Sequence, residues 1–535
     1  MCIKNKIIFL FIILIYLCYM QTIRGESICI NIDKDLYLLN MFAKVNAINS
    51  NTNEYMYKSN AALVSETKLD CAKMVFSLPG MRFMQKIRTK KPVNKITVKR
   101  LPVGLVWNDK RKLIEGYINK EGQYSYSICI EDNGKIYSEN INLIVSNKLQ
   151  MPVPFMGWLS WNSVQNEVSE DIVRKVMQIF KAKGLYACGW KTIMLDDLWQ
   201  ANERQPDGTP KADEKRFPNG IKALSNYIHK EGMKFGLYTD VAELTCANAF
   251  GSLGYEDIDA KTYADWKVDI VKCDYCHAPS DLLTAKKRYK DIYEAFKGAG
   301  NNTVLYICEW GEREPWKWGA EIGGRCWRVS QDVRDCWTGK GNGEGVVQSI
   351  RDMKHLSTYQ GVNRFNDADM LCTGLHATGK SSNDLCGGKG PGMTQDEYRT
   401  QFALWCMWSS PMMLSFDPRL KTFTKDDYAI LTNKDLIALD QDPMGQQADL
   451  ISEDNDMVVF AKDCANGDIA ISVTNMSDRD KDFTFDFSKI PALDVYKSYH
   501  VRDLWTQSML AKKVTSLLTT KVASHATKVF RLSED

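Results

Sequence analysis

Histidine is scarce in this chain, with six residues in 535. None belongs to an H-E-x-x-H motif or to a His-x-His pair at a strand exit, which argues against a barrel built around a catalytic metal. Phosphate-cradling signals are missing too. Gly339-Lys-Gly-Asn-Gly-Glu-Gly345 is glycine-rich, yet it lacks the Gly-Lys-Ser/Thr ending and the preceding strand of a P-loop, and reads as a flexible loop. Internal repeats and low-complexity tracts are absent. Apolar runs long enough to cross a membrane are absent after residue 25.

That first stretch is a targeting segment. Lys4 and Lys6 precede the apolar run 7–19, and polar residues follow before Gly25. This is the order of a secretory signal over residues 1–25, and the run is too short and wrongly flanked for a lasting span. The product is expected to be secreted or periplasmic, without stable membrane insertion. Removing Lys4, Lys6 and Arg24 takes the formal charge from +3 to 0. No basic surplus is left for nucleic acid or an acidic membrane surface. The sequence names no oligomeric state.

Two of the 16 cysteines leave with the signal, and the rest enter an oxidising compartment. Cys246 with Cys276, and Cys308 with Cys326, are the preferred disulfides, because each joins segments that follow different strands. Cys273-Asp-Tyr-Cys276 is formally a C-x-x-C motif. It does not open a thioredoxin-type helix, so a redox role is a poor fit.

The length calls for two or three domains. Residues 26–150 carry short β-branched and aromatic runs at 27–32, 96–100, 124–130 and 141–145, which suit a small sandwich-like β-domain. Pro152 and Pro154 mark a linker. Over 151–440, apolar strands at 155–158, 192–195, 234–238, 270–273, 304–308, 327–330, 368–371 and 412–415 alternate with helical patterns at 169–183, 220–231, 282–297 and 395–408. Eight such units predict a (β/α)₈ barrel. Residues 441–535 return to strands and predict an antiparallel β-domain.

In a barrel the chemistry sits where strands exit toward their following loops. Asp196 and Asp197, Asp240, Asp274, Glu309, Asp332, Asp367 and Asp369 all occupy such exits. Along 270–274, side-chain alternation points Lys272 and Asp274 the same way and Cys273 the other. A carboxylate and a lysine leaving a buried strand together are either a structural ion pair or a nucleophile kept charged by its neighbour. Twelve of the 14 tryptophans fall between Trp158 and Trp408, an excess that suits stacking on sugar rings. Two carboxylates flanking a bond are what glycoside hydrolysis needs, with no metal and no cofactor. The residues alone thus predict a glycosidase, with its catalytic pair left open.

Longer motifs narrow this. They include Met156-Gly-Trp-Leu-Ser-Trp-Asn162, Leu195-Asp-Asp-Leu-Trp199, Arg216-Phe-Pro-Asn-Gly220 and Lys234-Phe-Gly-Leu-Tyr-Thr-Asp240. Further on come Gly251-Ser-Leu-Gly-Tyr255, Lys272-Cys-Asp-Tyr-Cys276, Cys308-Glu-Trp310, Trp327-Arg-Val-Ser-Gln-Asp332 and Asn366-Asp-Ala-Asp-Met370. Over residues 152–535 the chain resembles the α-galactosidases of glycoside hydrolase family 27, and the N-terminal β-domain resembles an addition seen in bacterial relatives.

The resemblance implies Asp274 as nucleophile and Asp332 as general acid/base of a retaining double displacement, with carboxyl groups roughly 5–5.5 Å apart. It implies Trp158, Asp196, Asp197, Tyr238, Lys272, Glu309 and Arg328 as substrate-binding residues. Asp196 and Asp197 match the pair that grips the galactose 4- and 6-hydroxyls, which requires the chain to curl there. Glu309 matches a glutamate that relatives selective for α-N-acetylgalactosamine replace with a small residue, so a free 2-hydroxyl is expected. Arg328 raises a tension, because a guanidinium beside Asp332 lowers an acidity that an acid catalyst wants raised. Burial by bound sugar, or Arg328 engaging Asp274 instead, would relieve it. The implied activity is an exo-acting α-D-galactosidase. The alternatives are β-L-arabinopyranosidase or α-N-acetylgalactosaminidase action within the family, or a catalytically silent carbohydrate-binding protein.

Overall fold

Eight short strands carry the molecule, buried throughout except for Lys234 at the start of the third: β8 (Met156–Leu159), β9 (Thr192–Met194), β10 (Lys234–Asp240), β11 (Ile270–Asp274), β12 (Val304–Ile307), β13 (Gly324–Arg328), β16 (Phe365–Asp367) and β17 (Met412–Leu414). The computed structural model describes residues 68–300, 302–339, 343–380, 392–454 and 456–535. The expected signal and the expected strand at 27–32 lie outside them.

The eight strands pair in parallel, β17 to β8 and onward through β13 to β16. Leu371, just past β16, donates its N–H to the Met413 carbonyl at 2.8 Å and bridges to Leu414, which closes the sheet into a barrel. Alternation then sorts the side chains. Leu159, Met194, Ile270, Val304, Tyr306, Phe365 and Met413 fill the interior. Ile193, Val271, Cys273, Leu305 and Trp327 face the helices outside.

The helices on that outer shell include Glu170–Ala182, Gly220–Lys230, Glu256–Asp265, Leu282–Gly298, Val346–Met353 and Gln395–Trp408. Gln395–Trp408 starts at a capping box, with Thr394 and Glu397 each accepting the other's backbone N–H. This helix is buried nearly all round because the C-terminal strands cover its far side.

Ahead of the barrel stand two sheets. β1 (Met74–Ser77), β7 (Lys135–Val145), β6 (Gly122–Asp132) and β3 (Lys95–Lys99) form one, and β2 (Arg82–Lys86), β5 (Leu113–Tyr117) and β4 (Leu105–Asn108) the other. Val75, Ile128 and Leu143 of the first share a core with Phe83, Leu105 and Ile114 of the second, as a sandwich requires.

The C-terminal region is a six-stranded antiparallel sheet: β18 (Asp449–Glu453), β19 (Met457–Asp463), β20 (Ile469–Asn475), β25 (Thr527–Glu534), β22 (Tyr499–Asp503) and β23 (Ser508–Val514). A small ribbon, β21 (Lys481–Asp486) with β24 (Leu517–Val522), packs Phe485 onto it. Lys462 of β19 is fully buried and donates to the Cys406 and Leu439 carbonyls and to Ser409 Oγ, tying the sheet to the end of the barrel helix.

Among the described residues, no helix is long and apolar enough to cross a membrane.

Candidate active site

Register places the acids. Tyr238 pairs with Lys272 and Lys272 with Tyr306; one step nearer the mouth, Asp240 pairs with Asp274, and Arg328 with Asp367. Asp274 ends β11 with 6% of its surface exposed. Its Oδ2 accepts the Tyr238 hydroxyl at 2.9 Å, while Oδ1 accepts no hydrogen bond and lies 3.7 Å from Lys272 Nζ. Burial pushes this carboxyl up to about 6, against the pull of Lys272. Lys272 also donates to Asp196 Oδ2 at 2.7 Å, so one ammonium serves two buried carboxylates. Burial works against the lysine's charge, and Asp196 and Asp274 outweigh it, holding its acidity far below that of a free lysine.

The Asp196–Asp197 pair lies just past β9, which ends at Met194. Asp197 N donates to Asp196 Oδ1, and Leu198 adopts a left-handed φ of 68° while donating its N–H to Asp197 Oδ1. Asp197 Oδ2 accepts the Ala247 N–H at 2.9 Å, which anchors the loop after β10. Burial raises its carboxyl above the ordinary range.

Beyond β13, two strands along the barrel wall from β11, Asp332 is partly open. Arg328 Nη2 lies 3.3 Å from Oδ1 and Arg334 Nη2 3.2 Å from Oδ2. Burial alone would raise this acid, but Arg328, Arg334 and Lys272 hold it below the usual carboxylate range. Arg328 also pairs with buried Asp369 at 2.9 Å, and no ion pair joins it to Asp274 among the described residues. The tension read from the sequence therefore stands in the geometry. Asp369 sits at φ 75° and accepts the Val333 N–H at 2.7 Å, fixing the segment that carries Asp332.

Several expected roles meet a different geometry. Trp158 is fully buried with its indole N–H on the Phe416 carbonyl, in the layer between barrel and helices. Trp161, three residues on, is the partly exposed ring lying on the interior core at the mouth. Trp190, Trp199, Trp327, Trp405 and Trp408 are also wholly interior, so much of the tryptophan excess is core packing.

Glu309 is fully buried and turned into its own loop. Both its oxygens accept the Arg313 N–H at 3.0 Å, and Arg313 Nη1 lies 2.7 Å from Oε2. Burial pushes it up to about 7 despite that partner.

Cys246 and Cys276 form a disulfide beside Asp274. The expected Cys308–Cys326 bond is not formed, and both residues are buried free thiols. Cys326 pairs in register with Tyr306, so Cys308 stands two residues higher on the neighbouring strand, about 6.6 Å along the barrel wall. There it faces Asp274. Asp240, Cys246 and Cys276 are the one metal-like grouping among the described residues, and the disulfide occupies two of its three donors.

Arg313, Arg334 and Trp161 were not singled out from the sequence. Trp161 was within reach, as the second tryptophan of its motif. The other two are set by tertiary pairing.

A closed parallel barrel whose mouth gathers lysine-paired and arginine-paired carboxylates holds the groups that two-carboxylate glycoside hydrolysis requires. Comparison with known proteins specifies it further. The family model described as "Alpha galactosidase A" matches residues 153–442, and "Alpha galactosidase C-terminal beta sandwich domain" matches 454–532. Alpha-galactosidase A of Cellvibrio japonicus is 33% identical over 71% of this chain and 92% of its own length. Alpha-galactosidase 2 of Arabidopsis thaliana is 31% identical over 73% and 92%. Alpha-galactosidase I from Mortierella vinacea superposes with a TM-score of 0.65 at 30% identity, covering 73% of this chain and 99% of that one. A Bacteroides fragilis structure described as an alpha-galactosidase/melibiase candidate has a TM-score of 0.68 at 33% identity and covers 88% of this chain and 98% of that one. The chain belongs to the α-galactosidases of glycoside hydrolase family 27.

Proposed function

We propose that this protein is an exo-acting α-D-galactosidase that hydrolyses terminal α-galactosyl groups with retention. Asp274 Oδ1 attacks the anomeric carbon as the glycosidic C–O bond breaks, and the departing oxygen takes the Asp332 proton. Asp332, now a carboxylate, then accepts a proton from water as that water displaces Asp274 and returns an α-configured sugar. One observation carries this reading. In the mouth of an α-galactosidase-family barrel, Asp274 has one oxygen fixed by Tyr238 and the other free of hydrogen bonds.

The sugar hydroxyls fall to Asp196 and Asp197, with Lys272 and Tyr238 fixing the nucleophile and Arg328 the acid. Trp161 supports the ring face in place of Trp158, and Glu309 acts through the Arg313 turn. Residues 1–25 direct the chain out of the cytoplasm. The substrates are α-galactosides of oligosaccharides or polysaccharides.

The test is hydrolysis of an aryl α-D-galactoside by wild type and Asp274→Asn, with aryl β-L-arabinopyranoside and aryl α-N-acetylgalactosaminide alongside. NMR would identify the first-formed anomer. Galactoside turnover giving α-galactose, and falling roughly 10⁴-fold in the variant, is the expected result. Turnover of none of the three sugars, or a variant as active as wild type, overturns the reading.

A further inference from the structure

The two guanidinium groups on Asp332 are not equivalent. Arg328 divides its charge between Asp332 and the buried carboxylate of Asp369, and also donates to the Ser330 carbonyl. Arg334 has 7% of its surface exposed and forms its one ion pair with Asp332, among the described residues. Its Nε and Nη1 are buried without partners. The charge of Arg334 therefore acts chiefly on Asp332. The other charged groups facing this carboxyl are Lys272 from β11 and Asp369 from the turn after β16.

Building on the reading of Asp332 as the acid, we propose that Arg334 is a positioning residue that holds Asp332 as a carboxylate in the resting enzyme and thereby keeps the productively protonated pair a minor share of the enzyme.

Catalysis needs Asp274 ionised and Asp332 protonated. The surroundings favour the reverse. Burial pushes Asp274 up to about 6, whereas the arginines and Lys272 overcome burial at Asp332 and keep it low. When the pair shares one proton, that proton rests on Asp274, and the productive arrangement is the minor tautomer. Above about pH 6 the productive form thins by roughly tenfold per pH unit. Removing the charge of Arg334 shifts the shared proton toward Asp332. An opposite charge at this range moves a carboxyl by about 1–3 units, and partial exposure cuts that to about half to one unit. The expected change is a gain, whereas loss of a merely structural residue brings a loss.

The experiment measures kcat/KM on an alkyl α-D-galactoside, whose departing oxygen needs the acid, from about pH 4 to about pH 8. Wild type is compared with Arg334→Gln, Arg334→Met and Arg334→Lys. The neutral variants are expected to gain roughly three- to tenfold at about pH 7, with the acidic limb moving up by about half to one unit, while Arg334→Lys keeps the wild-type profile. Neutral variants that lose activity with unmoved limbs overturn the proposal. If neither neutral variant folds, the carboxyl ¹³C titration of Asp332 in wild type decides: a midpoint below about 3.9 supports the proposal, and one at or above it overturns it. The role of Asp332 is checked separately by azide rescue of Asp332→Ala as galactosyl azide. Failure of that rescue removes the acid/base assignment. Rescue with an unmoved Arg334→Gln profile removes only the role of Arg334.

Discussion

Asp240 lies directly across from Asp274 on the neighbouring strand, the two acids paired in register at the barrel mouth. Asp240 is fully buried and gives its oxygens to the Ala242 and Cys276 N–H groups, at 2.8 and 2.9 Å. It thereby ties the loop after β10 to the turn after β11, the same two segments that the Cys246–Cys276 disulfide joins. Burial, and then repulsion from Asp274, push its carboxyl up to about 8.

That value has a consequence for stability. Asp240 at about 8, Glu309 at about 7, and Asp274 and Asp367 at about 6 all lie above their unfolded values of about 4. Between about pH 4 and about pH 8 the folded chain binds more protons than the unfolded one, so stability falls as pH rises. Asp332, held low, acts in the opposite sense, and its effect is confined below about pH 4. Thermal unfolding should therefore show a higher Tm at about pH 5 than at about pH 8. Asp240→Asn should flatten that slope while costing about 1–3 kcal/mol, because an amide offers one acceptor oxygen where two N–H groups need partners. A Tm that climbs steadily to about pH 8 would contradict this.

Lys272→Met should separate charge from packing at Asp274. The variant leaves Asp196 and Asp274 buried without their shared ammonium. Breaking a buried pair this way costs about 3–5 kcal/mol while the lone charges persist. Proton uptake relieves that cost, so Asp274 moves further up. A rise of about 1–3 units lowers kcat/KM near pH 5 by roughly 10- to 10³-fold. Activity within twofold of wild type at that pH would sink this role for Lys272.

The cysteine assignment is open to direct chemistry. Unfolded without reductant and treated with iodoacetamide, the protein should be labelled at Cys308 and Cys326 and yield a linked peptide pair for Cys246 and Cys276. A linked Cys308–Cys326 pair in the peptide map would refute the layered arrangement.

The strands that sequence located best are those whose inward and outward faces are both apolar, such as Thr192–Met194 and Met412–Leu414. Two were placed about three residues late, because Gly324–Arg328 and Phe365–Asp367 turn Arg328 and Asp367 into the barrel and do not read as apolar runs. The helix Glu256–Asp265 went unseen because its first turn is acidic and its apolar residues are few. The strands Ser508–Val514 and Leu517–Val522 are largely exposed, so burial wrote no clear pattern into them. At the site, the acids were legible because a barrel fixes where strand ends go. Of their counter-ions, Lys272 and Arg328 came with the strand motifs, while Arg313 and Arg334 lie on connecting segments whose partners only the folded chain defines.

Arg313 is the furthest-reaching of these. Its backbone N–H and guanidinium hold Glu309, its Nε donates to the Ser280 carbonyl at 3.0 Å, and its guanidinium lies 4.5 Å over the Tyr275 ring. It thus fastens the turn after β12 to the turn after β11 that carries Cys276. The charge part of this contact exists only while Glu309 is ionised, above about 7. Arg313→Ala should therefore lower Tm more at about pH 8 than at about pH 5, by about 1–3 kcal/mol of extra cost from a buried acid without its partner. With Glu309→Gln in the background, the pH dependence of that loss should vanish, because the buried acid beside Arg313 is gone and its other ion pair, to Glu312 at 3.2 Å, lies at the exposed surface. Because the turn borders the mouth, KM for the aryl galactoside should rise with kcat largely kept. Equal losses of Tm at the two pH values would mean that Arg313 does not act through the charge of Glu309.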